Sequence, residues 1–359
     1  MLSLEKYFDN AATTPVDPEV AEAMEPYWAE VPGNPNSIHV FGIKARAAVT
    51  EARERVAELI GAGDPSQIFF TSGATESNNW AIALHSTGQV SPFEHPSVLE
   101  PALQKGFRVA PNDGYRLKWT PGGGLCCCMA VSNETGAVFD RPDSCNALLV
   151  DATQAIGKVP FSVGDADYVS ISSHKIYGPK GVGTLYVRDP RLARPLIAGG
   201  GQQQGLRSGT LNVPGIVGFG KAAEIALKRL EEDAYHFRKL REIVLNVLEA
   251  CPEMHVHESD QLSPHILCLS FEGIEGETLV LEADARGYAI SSGAACSSEK
   301  KEPNKTLMAL GVPEDLIRGT IRISFGRYNT VESAFALATL VLETVQRLRK
   351  MRLLQQNAT

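Results

Sequence analysis

A lysine at the mouth of a buried strand is a poor choice for stability and a good one for chemistry. Lys175 sits in SSHKIYGPKG, residues 172–181, directly after an apolar alternating run at 168–171 that predicts a strand. A second short strand is predicted at 184–187. A partly desolvated amine on a long stem loses its charge more readily and becomes a nucleophile toward carbonyls. Taken alone, Lys175 reads as a surface lysine in a turn. The other chemistry-bearing residues change that reading.

The strand predicted at 67–70 runs straight into TSGATESNN and then an apolar helical stretch. Strand, glycine turn and helix start present free backbone N–H groups to an anion, and Ser72 and Thr75 add hydroxyls. The three spaced glycines of a dinucleotide site and the Gly-Lys-Ser/Thr of a nucleotide loop are both absent, so a small phosphate ester fits better. Asp151 follows the apolar run at 147–150, where open α/β sheets place ligand contacts, although it could equally cap the next helix. A polar loop at 199–215 carries Arg207 and Thr210. A phosphate cradle, a strand-end carboxylate, a strand-end amine and a hydroxyl-and-arginine loop together meet the needs of pyridoxal phosphate. Its aldehyde needs a lysine, and its ring nitrogen needs an acid to keep it protonated.

These groups need a sheet to hold them, and the chain is long enough to build one. It has 359 residues, 43% hydrophobic and 21% charged, which suits one large domain and a smaller one. The net charge of −8 argues against direct binding of nucleic acid or anionic membrane. There is no secretory pattern and no apolar run of ~20 residues, so the expected location is cytoplasmic. None of the seven cysteines is spaced for a metal, and Cys126, Cys127 and Cys128 read as small hydrophobes in a buried strand. Helices are predicted at 18–30, 44–60, 216–250 and 331–352, and 33–42 is predicted as loop. The helix at 216–250 is the candidate connection between domains.

Eight stretches, DNAATTP, NPNSIH, TSGATESNN, DATQAIGK, SSHKIYGPKGVG, RSGTLNVP, SSGAACSS and IRISFGRYNT, resemble the signatures of cysteine desulfurases. These form part of the class V aminotransferase branch of fold-type I pyridoxal-phosphate enzymes. The match runs from about residue 7 to 345, and the spacing before Glu302 and Pro303 resembles the long-loop group that serves housekeeping iron–sulfur assembly or thiolation. The resemblance implies an α/β fold, a large domain at 15–230 with a mixed, mostly parallel sheet flanked by helices. It implies a smaller α+β domain from 1–14 and 231–359 that carries the catalytic cysteine.

It also implies roles. Lys175 would carry the cofactor and move the proton, Asp151 would pair with the ring nitrogen, Gln154 would bond the ring hydroxyl and His95 would lie over the ring face. Ala74, Thr75, Ser172 and His174 would hold the phosphate, and Asn133 would approach the cofactor edge. Thr210 would reach the phosphate of the neighbouring subunit of a homodimer. Arg322 would clamp the substrate carboxylate, a bidentate task suited to a guanidinium, and Asn34 would contribute to substrate binding. Cys296, in a small-residue segment expected to be mobile, would take sulfur from L-cysteine as a persulfide, leave L-alanine, and pass the sulfur to an acceptor protein. The stretch 86–124 is shorter than the family pattern, which leaves the placement of His95 open. Competing readings are another lyase or aminotransferase of the same branch, distinguished by product, and a pyridoxal-phosphate-bound scaffold without turnover.

Overall fold

The computed structural model describes residues 3–293 and 304–356. The strands of the first part of the chain are β1 (Ile68–Thr71), β2 (Gly88–Val90), β3 (Arg108–Val109), β4 (Asn112–Asp113), β5 (Arg116–Leu117), β6 (Leu125–Met129), β7 (Ala147–Asp151), β8 (Tyr168–Ser172) and β9 (Gly183–Val187). All but the small hairpin β4–β5 join one seven-stranded sheet in the order β1-β9-β8-β7-β6-β2-β3. Only β9 runs against the others, pairing antiparallel with both β1 and β8. The central strands β6, β7 and β8 are almost wholly buried, which is why LCCCM, ALLVD and YVSIS lack a polar face.

Alternate residues of each strand feed two cores. Cys126, Cys128, Leu148 and Val150 face one core with α3 (Val40–Leu59) and the first half of α6 (Val213–Leu248). Leu125, Cys127 and Leu149 face the other, against α4 (Ala74–Ala83) and α5 (Pro96–Gln104). The two long helices touch closely: a Cβ on Gly220 would lie 2.5 Å from the Cα of Ala52. Parallel neighbours are usually joined through a helix. Here β6 and β7 are joined by residues 130–146 without one. Aromatic rings cover part of the face instead, with Phe93 stacked on Phe139 at 5.0 Å and Tyr115 beside both.

A second sheet, β10 (Met254–Val256), β11 (Ile266–Phe271), β12 (Ser291–Ser292) and β13 (Thr320–Ser324), runs in the order β10-β11-β13-β12. It shares a core with Phe8 and the second half of α6, where Phe237, Leu240 and Val244 are fully buried. The helix that closes the chain runs over Val331–Gln356. The 36 residues of α6 therefore join one core of the first sheet to the core of the second. An ion cluster ties the two halves: Arg327 Nε donates to Asp233 Oδ2 on α6 at 2.7 Å, Nη1 lies 3.4 Å from Asp17 Oδ2, and the guanidinium sits 4.1 Å from the Tyr177 ring centre.

Two long helices start earlier than predicted. The first long helix begins at Val40, not 44, because His39 Nδ1 accepts the N–H of Gly42 and starts it early. Its opening residues Val40, Phe41 and Ile43 are exposed, so no apolar stripe marked that turn. The long interior helix begins at Val213, capped by Asn212, three residues before the position predicted.

Candidate active site

A cavity of about 1030 Å3 opens where β1, β6, β7 and β8 end. Strand ends are where an open α/β sheet leaves polar side chains and backbone groups facing a ligand. Lys175 reaches it from a single helical turn, Ser173–Lys175, directly after β8. The next turn holds Tyr177 at φ 68°, a left-handed conformation costing a tyrosine ~1–3 kcal/mol. Its N–H donates to Thr14 Oγ1 at 2.7 Å, which helps hold it there.

The amine of Lys175 donates to the carbonyls of Ala11 and Ala12 at 2.6 and 2.8 Å, and no carboxylate among the described residues bonds to it. Burial, helped by the Arg322 guanidinium, pulls its pKa down to about 8, while Asp9, Asp151 and Glu134 hold it from falling further. Burial, Lys175 and Lys180 likewise lower His174 to about 4, so its imidazole is neutral. Its Nδ1 lies 3.1 Å from Thr13 Oγ1.

Asp151 ends β7 with one oxygen accepting from Asn78 Nδ2 at 2.9 Å and the other from the N–H of Thr153 at 2.9 Å. No helix lies between β7 and β8, so Asp151 caps none; it receives the N–H of a turn and lines the cavity. Gln154 is fixed from two sides: its Nε2 donates to Ala11 O at 2.8 Å, and its Oε1 lies 3.1 Å from His265 Nε2. An amide oxygen only accepts, so the buried His265 must carry its proton on Nε2. Its Nδ1 then accepts from Ser263 Oγ at 2.7 Å.

The cradle after β1 is Ser72-Gly73-Ala74-Thr75, at the start of α4. No side chain caps this helix at Gly73, and the space where a Gly73 Cβ would stand is open. Glycine is needed across from it: a Cβ on Gly183 of β9 would meet the Gly73 Cα at 2.7 Å. Glu76 accepts the Ser72 N–H at 2.8 Å and is gripped by Arg207 at 2.8 and 3.0 Å, so Arg207 braces the cradle from outside. Ser172, at the end of β8, also lines the cavity.

His95 caps α5, with Nδ1 2.8 Å from Ser97 Oγ, and lines the cavity beside Asp151. Burial lowers its pKa, against the pull of Asp151. Arg322, on β13, is 8% exposed, which rules out an exposed arginine on an alternating strand. Its Nη1 donates to the carbonyl of Asn133 at 2.8 Å and lies 3.6 Å from Glu134 Oε1. Its Nη2 donates to Asp9 Oδ1 at 3.1 Å.

Two predicted residues lie away from this cavity. Asn34 is exposed and closes a local turn by accepting the Asn36 N–H at 3.0 Å. Thr210 is exposed on its loop and does not line the cavity. Cys296 lies outside the described residues. Sequence reasoning missed four groups: Asp9, Glu134, Asn78 and Glu94. Glu94 is buried in the cavity wall with Oε1 accepting the Met129 N–H at 2.6 Å, while Oε2 has no partner among the described residues. Burial and the nearby Asp151 push its pKa well up, which disfavours its charged form. The adjacent His95 drew attention in sequence; nothing there marked Glu94 as interior.

The described residues include no cluster able to hold a metal ion. They fit a phosphorylated aldehyde: an open anion cradle, a lysine whose amine is partly deprotonated near neutral pH, and a buried carboxylate at the adjacent strand end.

A sequence profile of the family described as Aminotransferase class-V matches residues 6–337. The protein named cysteine desulfurase IscS 1 of Archaeoglobus fulgidus is 41% identical over 375 residues, covering 96% of this chain and 98% of that protein. That alignment is longer than the 359-residue chain, so residues of the relative are absent here. A solved structure described as a NifS-like protein has a TM-score of 0.85 at 37% identity and covers 96% of this chain and 100% of that one. Another, described as SspA in complex with cysteine, has a TM-score of 0.72 at 32% identity, covering 90% and 100%.

Proposed function

This chain belongs to the class-V aminotransferases and, among them, to the cysteine desulfurases, and from that membership we infer that Lys175, Asp151, Arg322 and Cys296 carry its reaction. It is a pyridoxal-phosphate-dependent enzyme that takes sulfur from L-cysteine and hands it to an acceptor. Pyridoxal phosphate, when bound, supplies an aldehyde for an amine and an electron-poor ring that draws charge from the substrate carbon. Lys175 would hold the aldehyde, Asp151 the ring nitrogen, Gln154 the ring hydroxyl and His95 the ring face. The backbone of Ala74 and Thr75, with Ser172 and His174, would hold the phosphate. Asn133, whose Nδ2 donates to Glu134 Oε1 at 2.7 Å, would stand at the cofactor edge.

The observation that carries this reading is the Lys175 amine. Among the described residues its hydrogen-bond partners are carbonyls alone, and it faces the cavity with Asp151 and Arg322. Such an amine can leave and retake a proton near neutral pH. Arg322 orients the substrate by its carboxylate. Cys296, as thiolate, attacks the substrate sulfur: an S–S bond forms, the Cβ–S bond breaks, and its electron pair passes to the carbon skeleton. That skeleton takes up a proton to become the methyl of L-alanine. The protein keeps the sulfur as a persulfide.

A homodimer belongs to the same proposal. Trp28, Ile38, Phe41 and Ile43 are exposed apolar side chains, and Ile38 is 91% exposed. Thr210 and Asn34 stand apart from their own cavity and would serve the partner's. A cytoplasmic location accords with six free cysteines and no disulfide among the described residues. The sulfur would serve iron–sulfur cluster assembly or thiolation through an acceptor protein.

The test is Cys296→Ala. The variant binds pyridoxal phosphate and answers L-cysteine with a change in cofactor absorbance, but forms no persulfide and releases no sulfide. Normal sulfide release would remove Cys296 from the mechanism.

A further inference from the structure

Asn304 is buried, 6% exposed, and every hydrogen-bonding atom of its side chain is used. Its Nδ2 donates to Glu134 Oε2 at 2.9 Å and to the carbonyl of Gly293 at 2.7 Å, and its Oδ1 accepts the Leu307 N–H at 3.1 Å. Gly293 is the last described residue before the stretch that contains Cys296, and Asn304 is the first after it. One amide thus joins both ends of that stretch. Gly293 is itself fixed, since its N–H donates to Thr320 O on β13 at 2.8 Å. A Cβ there would come 2.4 Å from Thr320 Cγ2.

The same amide reaches the substrate side of the cavity. Glu134 gives Oε2 to Asn304, while its Oε1 accepts from Asn133 Nδ2 and lies 3.6 Å from Arg322 Nη1. A substrate carboxylate on Arg322 competes with Glu134 for that guanidinium. Glu134 then depends on Asn133 and Asn304 for its donors. A buried amide with one broken link is costly, so these contacts hold or fail together.

We propose that Asn304 is a positioning residue for sulfur transfer: it clips the two ends of the Cys296 stretch together and ties them to Glu134, the carboxylate that faces the substrate arginine. The proposal rests on Cys296 being the sulfur acceptor. Attack on sulfur needs alignment with the breaking Cβ–S bond, and a misplacement of ~1 Å can cost ~100-fold in rate.

The experiment is a single turnover of the holoenzyme with L-cysteine, following persulfide on Cys296 by mass spectrometry and cofactor absorbance by stopped flow. Asn304→Asp keeps the acceptor for Leu307 and caps as well as asparagine. It loses both donors and sets a carboxylate against Glu134. Persulfide formation should slow ~10–100-fold, with the absorbance change on adding L-cysteine kept within a few-fold. Adding Glu134→Gln to Asn304→Asp puts the amide on the other partner, remakes that link and recovers part of the rate. If Asn304→Asp does not fold, Asn304→Ser replaces it, since serine caps the helix but cannot span Gly293 and Glu134. A normal rate in the single variant, a loss that Glu134→Gln leaves untouched, or a loss confined to the absorbance step would each overturn the proposal. Cys296→Ala run alongside separates the two readings: persulfide sulfur still produced there defeats the underlying reaction scheme, not the role of Asn304.

Discussion

Lys175 offers the sharpest quantitative test. Its pKa is drawn from 10.5 to about 8, chiefly by burial and then by Arg322. At pH 7 a lysine titrating at 8 is ~10% free amine, against ~0.03% for an unperturbed one, a difference of ~300-fold. Only the free amine attacks an aldehyde. Cofactor-free protein mixed with pyridoxal phosphate between pH 7 and 10, then quenched with borohydride, leaves label on the Lys175 peptide at a rate proportional to that fraction. The rate should rise toward a plateau with its midpoint near pH 8. Lys175→Ala should take no label at that peptide. Asp9→Asn removes a charge that holds the pKa up, so it should shift the midpoint to lower pH. A rate still rising tenfold per pH unit at pH 9 would show an ordinary lysine and refute the argument from burial.

Other consequences are as direct. Arg322→Lys keeps a charge opposite Asp9 and Glu134 but loses the two-pronged grip, so the KM for L-cysteine should rise ~10–100-fold, the worth of a hydrogen bond to a charged group; steady-state kinetics read it. Arg327→Ala strands Asp233, whose side chain is 2% exposed, with only Arg229 at 3.3 Å, and should cost ~3–5 kcal/mol in urea unfolding. Glu94 has its pKa raised by burial, so folding above the unfolded carboxylate value must take up a proton, and that cost grows with pH. Glu94→Gln should therefore raise the unfolding midpoint at pH 8 and leave it nearly unchanged at about pH 3, where the unfolded carboxyl is protonated as well.

Much of the frame was legible in sequence because its signals are local. Buried parallel strands read as short apolar runs, so β7, β8 and the approach to Lys175 stood out, and Asp151 was visible as the first polar residue past its run. Glycine and hydroxyl residues at 71–75 marked a turn into a helix whatever packed against it. The stretch 86–124 was illegible for the opposite reason. Its strands are two or three residues long, too short for any period to show.

What sequence could not decide is who meets whom across the chain. Arg322 and Asp9 are 313 positions apart, and Asn304 and Glu134 are 170 apart. The lowered pKa of Lys175 depends on burial and on Arg322, which stands 147 positions further along the chain. Amino-acid order determined which chemical groups the protein owns and which strand ends present them. Desolvation, and with it the charge state of Lys175, His174 and Glu94, was decided only when two cores closed around one cavity, because the cost of burying a charge is a property of the surroundings and not of the residue.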